Sequence, residues 1–454
     1  MFKSSRLVLL VVAAFMVFGL SFVACGGDKD KDGDGGDNKP VVCDLPGCGE
    51  TIGVTATTVK IGTLLPLSNT TATAWGVPLS KGMKAYFDYI NAKGGIYGRK
   101  IELIVGDSQY VGPVANEAIR KLVEQDGIFA IQGSLGTEAH AAVYQYLEER
   151  NIPDMFILAG SRMWIDPIAK NRFVFLVDYE TEGRILGKYI GENYDGKKLG
   201  ILAQNDDFGK EGEAGLKLGV EDSGATMEMT ATQYYDAATT DVTAQMQRLK
   251  ADGAEVIGFY GMPAQAASGI NNARTTLSWD VPIVITGVNA AQIVGALAGY
   301  DNIAGTVSVS FGYQSDQKDN AGAEFYDAVM DQYSPGTNHE SIGLTGFSVA
   351  QAMVAVLIQA GPDLTRSGFL DAAESICKYT GGTGISPLSF SPTDHSWNEQ
   401  EIFVKAAGKG TPEDPFSWVP FGEPITEFEK TKDCKQPKHP EGFDAQPKDE
   451  LPLP

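Results

Sequence analysis

The sequence predicts an α/β fold of two similar lobes, each a parallel sheet flanked by helices, with a ligand cleft between them. From residue 58 onward, apolar runs of strand length alternate with stretches of helical periodicity. That order makes strand–helix–strand units and hence a parallel sheet. The pattern also occurs twice. "DGIFAIQGSLGTEAHAAV" carries Asp126 and Gly127, an apolar run, Gly133 and then Ala139, and "DGAEVIGFYGMPAQAASGI" repeats this with Asp252, Gly253, Gly261 and Ala266. Each copy leads through a helix to a strand headed by proline, at Pro153 and at Pro282. The 454 residues leave room for two domains or more.

The first series begins with the strand "TVKIGTLLPLS". In "AWGVPLSKGMKAYFDYINAK", Met83, Phe87 and Ile90 fall at helical spacing, and "RKIELIVGDS" returns to a strand. A helix over 114–125, the strand "IFAIQGS", a helix over 137–149 and the strand "PDMFILAG" continue it. A second series begins near Phe173 with "FVFLVDY" and a helix over 182–194. It runs on through "KLGILAQN", a helix over 209–222, "TMEMTATQYY", a helix over 242–251, "AEVIGFYG", a further helix and "PIVIT". "LTGFSVAQAMVAVLIQAG" reads as one buried helix. Beyond Ala407 the chain is rich in proline and charge, shows no core pattern and is expected to wrap the surface or stay disordered.

The N-terminus points to export. Lys3 and Arg6 precede an apolar run that ends in small residues before Cys25. "Phe22-Val23-Ala24-Cys25" resembles a bacterial lipobox, which makes 1–25 a lipoprotein signal and Cys25 the lipidated end; an ordinary secretory signal is the alternative. Residues 26–57 then read as a solvated, Asp- and Gly-rich tether with a cysteine loop. Asp30, Asp32, Asp34 and Gly35 match the start of a calcium loop, but its twelfth position is Val41 and not the required Glu. Export permits disulfides, so Cys43, Cys48, Cys377 and Cys434 are expected to form two; Cys43 and Cys48 are close enough to pair and Cys377 could then hold Cys434, with the connectivity left open. The formal net charge of -22 argues against nucleic acid or an anionic lipid surface as partner. No second uncharged apolar run of about 18 residues follows, so attachment through the N-terminal lipid alone is expected.

Motifs for chemistry are scarce. The glycines of "INAKGGIYGRK" come after a helix and before a strand, whereas a phosphate loop needs strand, glycines, then helix. Gly94 and Gly95 therefore read as a helix C-cap and turn. "GENYDGKK" nearly matches a nucleotide loop, but Lys198 stands where the magnesium-binding hydroxyl belongs. His140, His339, His395 and His439 show no metal-ligand spacing. Ser348 lies within the apolar helix and not on a nucleophile elbow. The expectation is a protein without cofactor, metal or catalytic residues.

"VKIGTLLPLSNTTATAWG", "INAKGGIYGRKIELIVGDSQ", "AIQGSLGTEAHAA", "QNDDFGKEG" and "GISPLSFSPTDH", in that order, resemble the type I periplasmic binding proteins. The closest branch is the solute-binding subunits of branched-chain amino acid ABC importers, and the resemblance covers about 58–407. It implies two Rossmann-like lobes joined by a three-crossover hinge, closing on a small-molecule ligand for delivery to an ABC permease. On that frame 58–178 is the first lobe, 179–306 the second, 307–380 a return to the first, 381–410 a return to the second, and 411–454 a Pro-rich tail.

A ligand in such a fold sits beyond the carboxyl ends of the strands. The loop holding Ser134, Leu135 and Thr137 leaves "IFAIQ" and opens a helix, and the family's carboxylate-binding hydroxyl falls on or near Thr137. Capping of the helix by Ser134 or Thr137 is the structural alternative. Ser161 and Arg162 match the family's second contact loop, with Arg162 either pairing an anion or reaching solvent. Trp75 and Phe208 align with aromatic lids, or else belong to the core, and Tyr260 ends its strand toward the cleft. The family's acid for an α-ammonium is missing: Gly287, Val288 and Asn289 stand there, leaving Asp178, Asp206 or Asp207 to compensate. The expected ligand is an amino acid, amide or small carboxylate. A sensor that passes closure to a membrane receptor, and an exported hydrolase, are the alternatives.

Overall fold

The computed structural model describes residues 52–316, 321–379 and 387–427. The lipid site at Cys25 and three of the four cysteines expected to pair (Cys43, Cys48 and Cys434) fall outside the described residues.

The first lobe opens with β1 (Thr58–Leu65), α1 (Thr73–Ala92), β2 (Lys100–Asp107), α2 (Gly112–Arg120) and β3 (Ala130–Gln132). It continues with α3 (Thr137–Ala141), α4 (Tyr144–Glu149), β4 (Asp154–Ile157) and β5 (Arg172–Val174). These strands form one wholly parallel sheet in the order β2-β1-β3-β4-β5. The second lobe follows with α5 (Tyr179–Tyr194), β6 (Lys198–Gln204), α6 (Asp207–Asp222), β7 (Glu228–Met229), β8 (Gln233–Tyr235) and α7 (Thr243–Ala251). Next come β9 (Val256–Tyr260), α8 (Pro263–Arg274), β10 (Ile283–Ile285), α9 (Gln292–Ala298), α10 (Tyr300–Ile303) and β11 (Val307–Ser310). Three helices return to the first lobe: α11 (Ala321–Tyr333), α12 (Ser341–Ala360) and α13 (Arg366–Glu374). Then β12 (Glu401–Ala407) and β13 (Ser417–Ile425) complete the second sheet. Its order is β13-β12-β11-β10-β9-β6-β7, with β8 also on β6, and only the β11–β12 and β12–β13 pairings are antiparallel.

Each sheet is covered on both faces, as parallel sheets require. In the first lobe, α1 and α12 bury Met83, Phe87, Phe347 and Met353 against Ile61 and Phe129. On the opposite face α2 and α4 bury Ile119 and Leu147 against Leu64 and Ile131. In the second lobe, α5 and α6 cover one face through Ile190 and Leu216, and α7 and α8 the other through Met246 and Ile270. Helix α12 is long and apolar enough to cross a membrane, but 83% of its most apolar window is buried inside the fold, so it is a core helix.

The glycine question resolves locally. Helix α1 stops at Lys93, and the Gly95 N–H donates to the Ile90 carbonyl at 3.0 Å, closing the end of the helix. Gly94 and Gly95 have φ of +105° and +75°, and a Cβ on Gly95 would lie 2.0 Å from the Arg99 carbonyl oxygen. Only glycine fits that turn.

The start of "FVFLVDY" forms β5, which pairs with β4 at the edge of the first sheet, within the span 58–178 assigned to the first lobe. Three sequence expectations need correction. The return to the first lobe begins after Ser310 and not at 307, because β11 pairs with β10. The last return comes after Trp397 and not at 381, since Leu388, Phe390 and Trp397 lie in the first-lobe core. Finally, the tail is not featureless: β13 pairs with β12, and Phe416 and Trp418 are buried in the second-lobe core. The three crossovers thus fall at 175–178, after Ser310, and at 398–400.

Candidate functional site

Parallel strands deliver all their C-terminal ends to one edge of a sheet, and here both sheets turn those ends toward one hollow. From the first sheet come Tyr110 after β2, Leu135 and Gly136 after β3, Leu158 after β4 and Leu176 after β5. From the second come Phe208 at the start of α6, Met262 after β9, Val288 after β10 and Phe311 after β11. Trp75 and Leu79 of α1, Tyr179 at the start of α5 and Thr345 of α12 complete the wall. A second hollow adjoins it, sharing Trp75, Phe311 and Thr345 and adding Ser310, Gln314 and Ser341.

Local chemistry explains several placements. Tyr110 has φ +59°, a left-handed conformation uncommon for an aromatic residue, and its N–H donates to the Ser108 hydroxyl at 3.2 Å. A Cβ on Gly136 would sit 2.5 Å from the Tyr110 ring, so that glycine admits the ring to the wall. Phe208 packs on Tyr179 with ring centroids 4.6 Å apart. Asp206 caps α6, accepting from the Gly209 N–H at 3.2 Å and from Gln204 Nε2 at 2.7 Å. Burial pushes the Asp206 carboxyl above its ordinary range, with the Gln204 bond opposing. Burial also raises the Tyr110 phenol, and the Asp206 charge adds to the rise.

The expected site residues divide into three groups. Trp75, Leu135 and Phe208 line the hollow. Ser134 and Thr137 are buried beside it; the Ser134 hydroxyl has no partner, and Thr137 Oγ1 lies 3.0 Å from the Tyr179 hydroxyl. Ser161 and Arg162 contact the other lobe and not the hollow. Ser161 Oγ donates to Glu211 Oε1 at 2.6 Å, the Arg162 N–H donates to Glu211 Oε2 at 3.0 Å, and Arg162 Nη1 pairs with Glu180 at 2.6 Å. Tyr260 turns into the second-lobe core, and Asn289 Nδ2 donates to the Gly261 carbonyl at 2.9 Å. Neither of these two lines the hollow.

The acids proposed to replace the missing carboxylate are occupied in part: Asp178 accepts from the Thr181 N–H at 3.0 Å, capping α5. A buried acid does reach Gly287, which the sequence reading missed: Glu182 accepts from the Gly287 N–H at 3.1 Å and from the Thr286 hydroxyl. Residues such as Tyr110, Tyr179 and Phe311 were also missed, although each follows a strand end, the one signal that marks them. Ser348 donates back to the Leu344 carbonyl at 3.0 Å within its helix. Among the described residues no group of three or more His, Cys, Asp or Glu is placed to hold a metal.

Comparison with known proteins agrees with this geometry. A family model described as periplasmic binding protein matches residues 58–411. Leu/Ile/Val-binding protein homolog 3 of Brucella melitensis biotype 1 is 24% identical over 360 residues, covering 77% of this chain and 92% of that protein. The fatty acid ABC transporter substrate-binding protein from Thermomonospora curvata superposes with TM-score 0.72 at 22% identity, covering 84% of this chain and 95% of that one. A branched chain amino acid ABC transporter protein from Thermus thermophilus with bound valine gives TM-score 0.71 at 18% identity, covering 81% and 97%. At such identities the two structures speak for the fold.

Proposed function

This chain belongs to the periplasmic binding protein family, with its type I fold, and from that premise we propose that it captures a small metabolite between its lobes and delivers it to an ABC permease. The family is exported and binds substrates. The finer reading adds a lipid anchor at Cys25, two disulfides among Cys43, Cys48, Cys377 and Cys434, and release of the ligand chemically unchanged. One observation carries the proposal: a hollow at the carboxyl ends of both sheets, walled from both lobes.

Such a wall exists only when the lobes are together. Ligand contacts made to both lobes at once therefore favour the closed state by their differential affinity, and a permease can distinguish closed from open. Trp75, Leu135 and Phe208 supply apolar contact, with Ser134 and Thr137 behind them. Ser161 and Arg162 act on closure through Glu211 and Glu180. Of the expected amino acid, amide or small carboxylate, this wall favours the molecules with most apolar surface.

The test is thermal unfolding of the purified protein against amino acids, amides, aromatic acids and short dicarboxylates. A true ligand at about 100 times its Kd adds roughly 2.7 kcal/mol of stability. A stabilising compound recovered unchanged supports the proposal; one recovered as a hydrolysis product, or no stabilising compound at all, counts against it.

A further inference from the structure

The charge pattern of the walls narrows the ligand further, on the premise that the cleft is a ligand site. Among the described residues, no Asp, Glu, Lys, Arg or His lines either hollow. A buried ion left without a partner costs several kcal/mol. The surroundings are unequal for the two signs of charge. Asp206 acts on both Tyr110 and Tyr179, and Glu138 on Tyr110, so negative charge stands behind the wall. Arg162, the expected partner for an anion, is held by Glu180. A carboxylate thus enters against a like field and, among the described residues, meets no cation in the walls.

A cationic head fares little better. Asp178 and Asp206 serve as helix caps, Glu182 holds Thr286 and Gly287, and none of these acids lines a hollow. What the walls do offer is neutral. The first hollow is almost wholly aliphatic and aromatic, while the second brings in Ser310, Gln314 and Ser341. Where the two meet, Trp75 Nε1 is buried without a hydrogen-bond partner. An indole N–H is a donor only, so it calls for an acceptor oxygen.

We propose that the cleft takes one elongated, uncharged ligand: an apolar body in the first hollow, an acceptor oxygen at Trp75, and a neutral head such as an amide or hydroxyl in the second. The experiment is calorimetric titration of the full chain with a matched series on one 4-phenylbutyl skeleton, ending in carboxamide, carboxylate, ammonium or trimethylammonium, with leucine alongside. The carboxamide is expected to bind at least about tenfold more tightly than each charged member. Trp75→Phe keeps an apolar ring and removes the N–H; it is expected to weaken the carboxamide severalfold, with circular dichroism confirming that the variant folds. A charged member binding as tightly as the carboxamide, or an unchanged affinity in Trp75→Phe, overturns the inference. Binding of leucine or the carboxylate without the carboxamide overturns it too, but leaves the binding-protein reading standing. Silence from the series, leucine and the metabolite panel together defeats both.

Discussion

Phe208 belongs to core and cleft at once: it is 2% exposed, touches Tyr179 and Tyr260, and still lines the hollow. Phe208→Ala should therefore weaken ligand binding about 10- to 100-fold, the range that roughly 1.5–3 kcal/mol of apolar contact supports. Titration with the stabilising compound checks this, and an unchanged Kd would remove Phe208 from the site. Residues of this kind were legible because an aromatic just after a strand and beside a helix N-terminus has few other places to go. Tyr260 misled for a reason of parity. Side chains on a strand alternate, so Phe259 faces α7 and α8 while Tyr260, the last residue of β9, faces α5 and α6 in the core and not the hollow.

At the scale of elements, β13 carries a test. Trp418 is 1% exposed, packs on Phe416 and donates from Nε1 to the Ala291 carbonyl at 3.2 Å. Trp418→Ala should lower stability by about 3–5 kcal/mol, measured by urea unfolding. A loss below ~1 kcal/mol would return the segment to the surface role that its proline and charge suggested. The junction of α5, β10 and β12 makes a second prediction. Glu182 and Glu401 are both buried there; burial raises each carboxyl above its ordinary range, and for Glu401 the charges of Glu182 and Asp178 add to the rise. A carboxyl with a raised folded-state pKa binds its proton more tightly when folded. Its stabilising effect is whole below the ordinary glutamic acid value and is lost as pH climbs through the raised one. Stability should fall from mildly acidic toward neutral pH, and Glu401→Gln should flatten that fall. A variant with the slope of the parent would exclude the pair as its source.

For the whole molecule the question is what holds the lobes together. Ser161 and Arg162 from the first lobe grip Glu211 and Glu180 from the second, and Thr137 meets Tyr179. The Arg162 pair is half-exposed and worth little by itself, at most about 1 kcal/mol. Glu211 is the better lever because it takes a buried hydroxyl and a backbone N–H together. Glu211→Ala should raise the open fraction, enlarging the radius of gyration in small-angle scattering and weakening ligand affinity. Unchanged scattering and affinity would show that closure does not depend on this grip.

The sequence by itself determined the alternation of strands and helices, the two-lobe repeat, the buried character of α12 and the turn at Gly94 and Gly95. All of these follow from periodicity and from local φ preference, which neighbouring residues carry between them. It also named part of the wall, since a strand end followed by a helix start is a local signal. What only the tertiary structure decided is where the chain crosses between lobes and which side chains meet there. "FVFLVDY" and Val307–Ser310 are strands wherever they pair, and membership of a sheet depends on a partner far along the chain. The uncharged character of the walls among the described residues, and the pairing of Arg162 with Glu180, likewise arise from distant segments brought together.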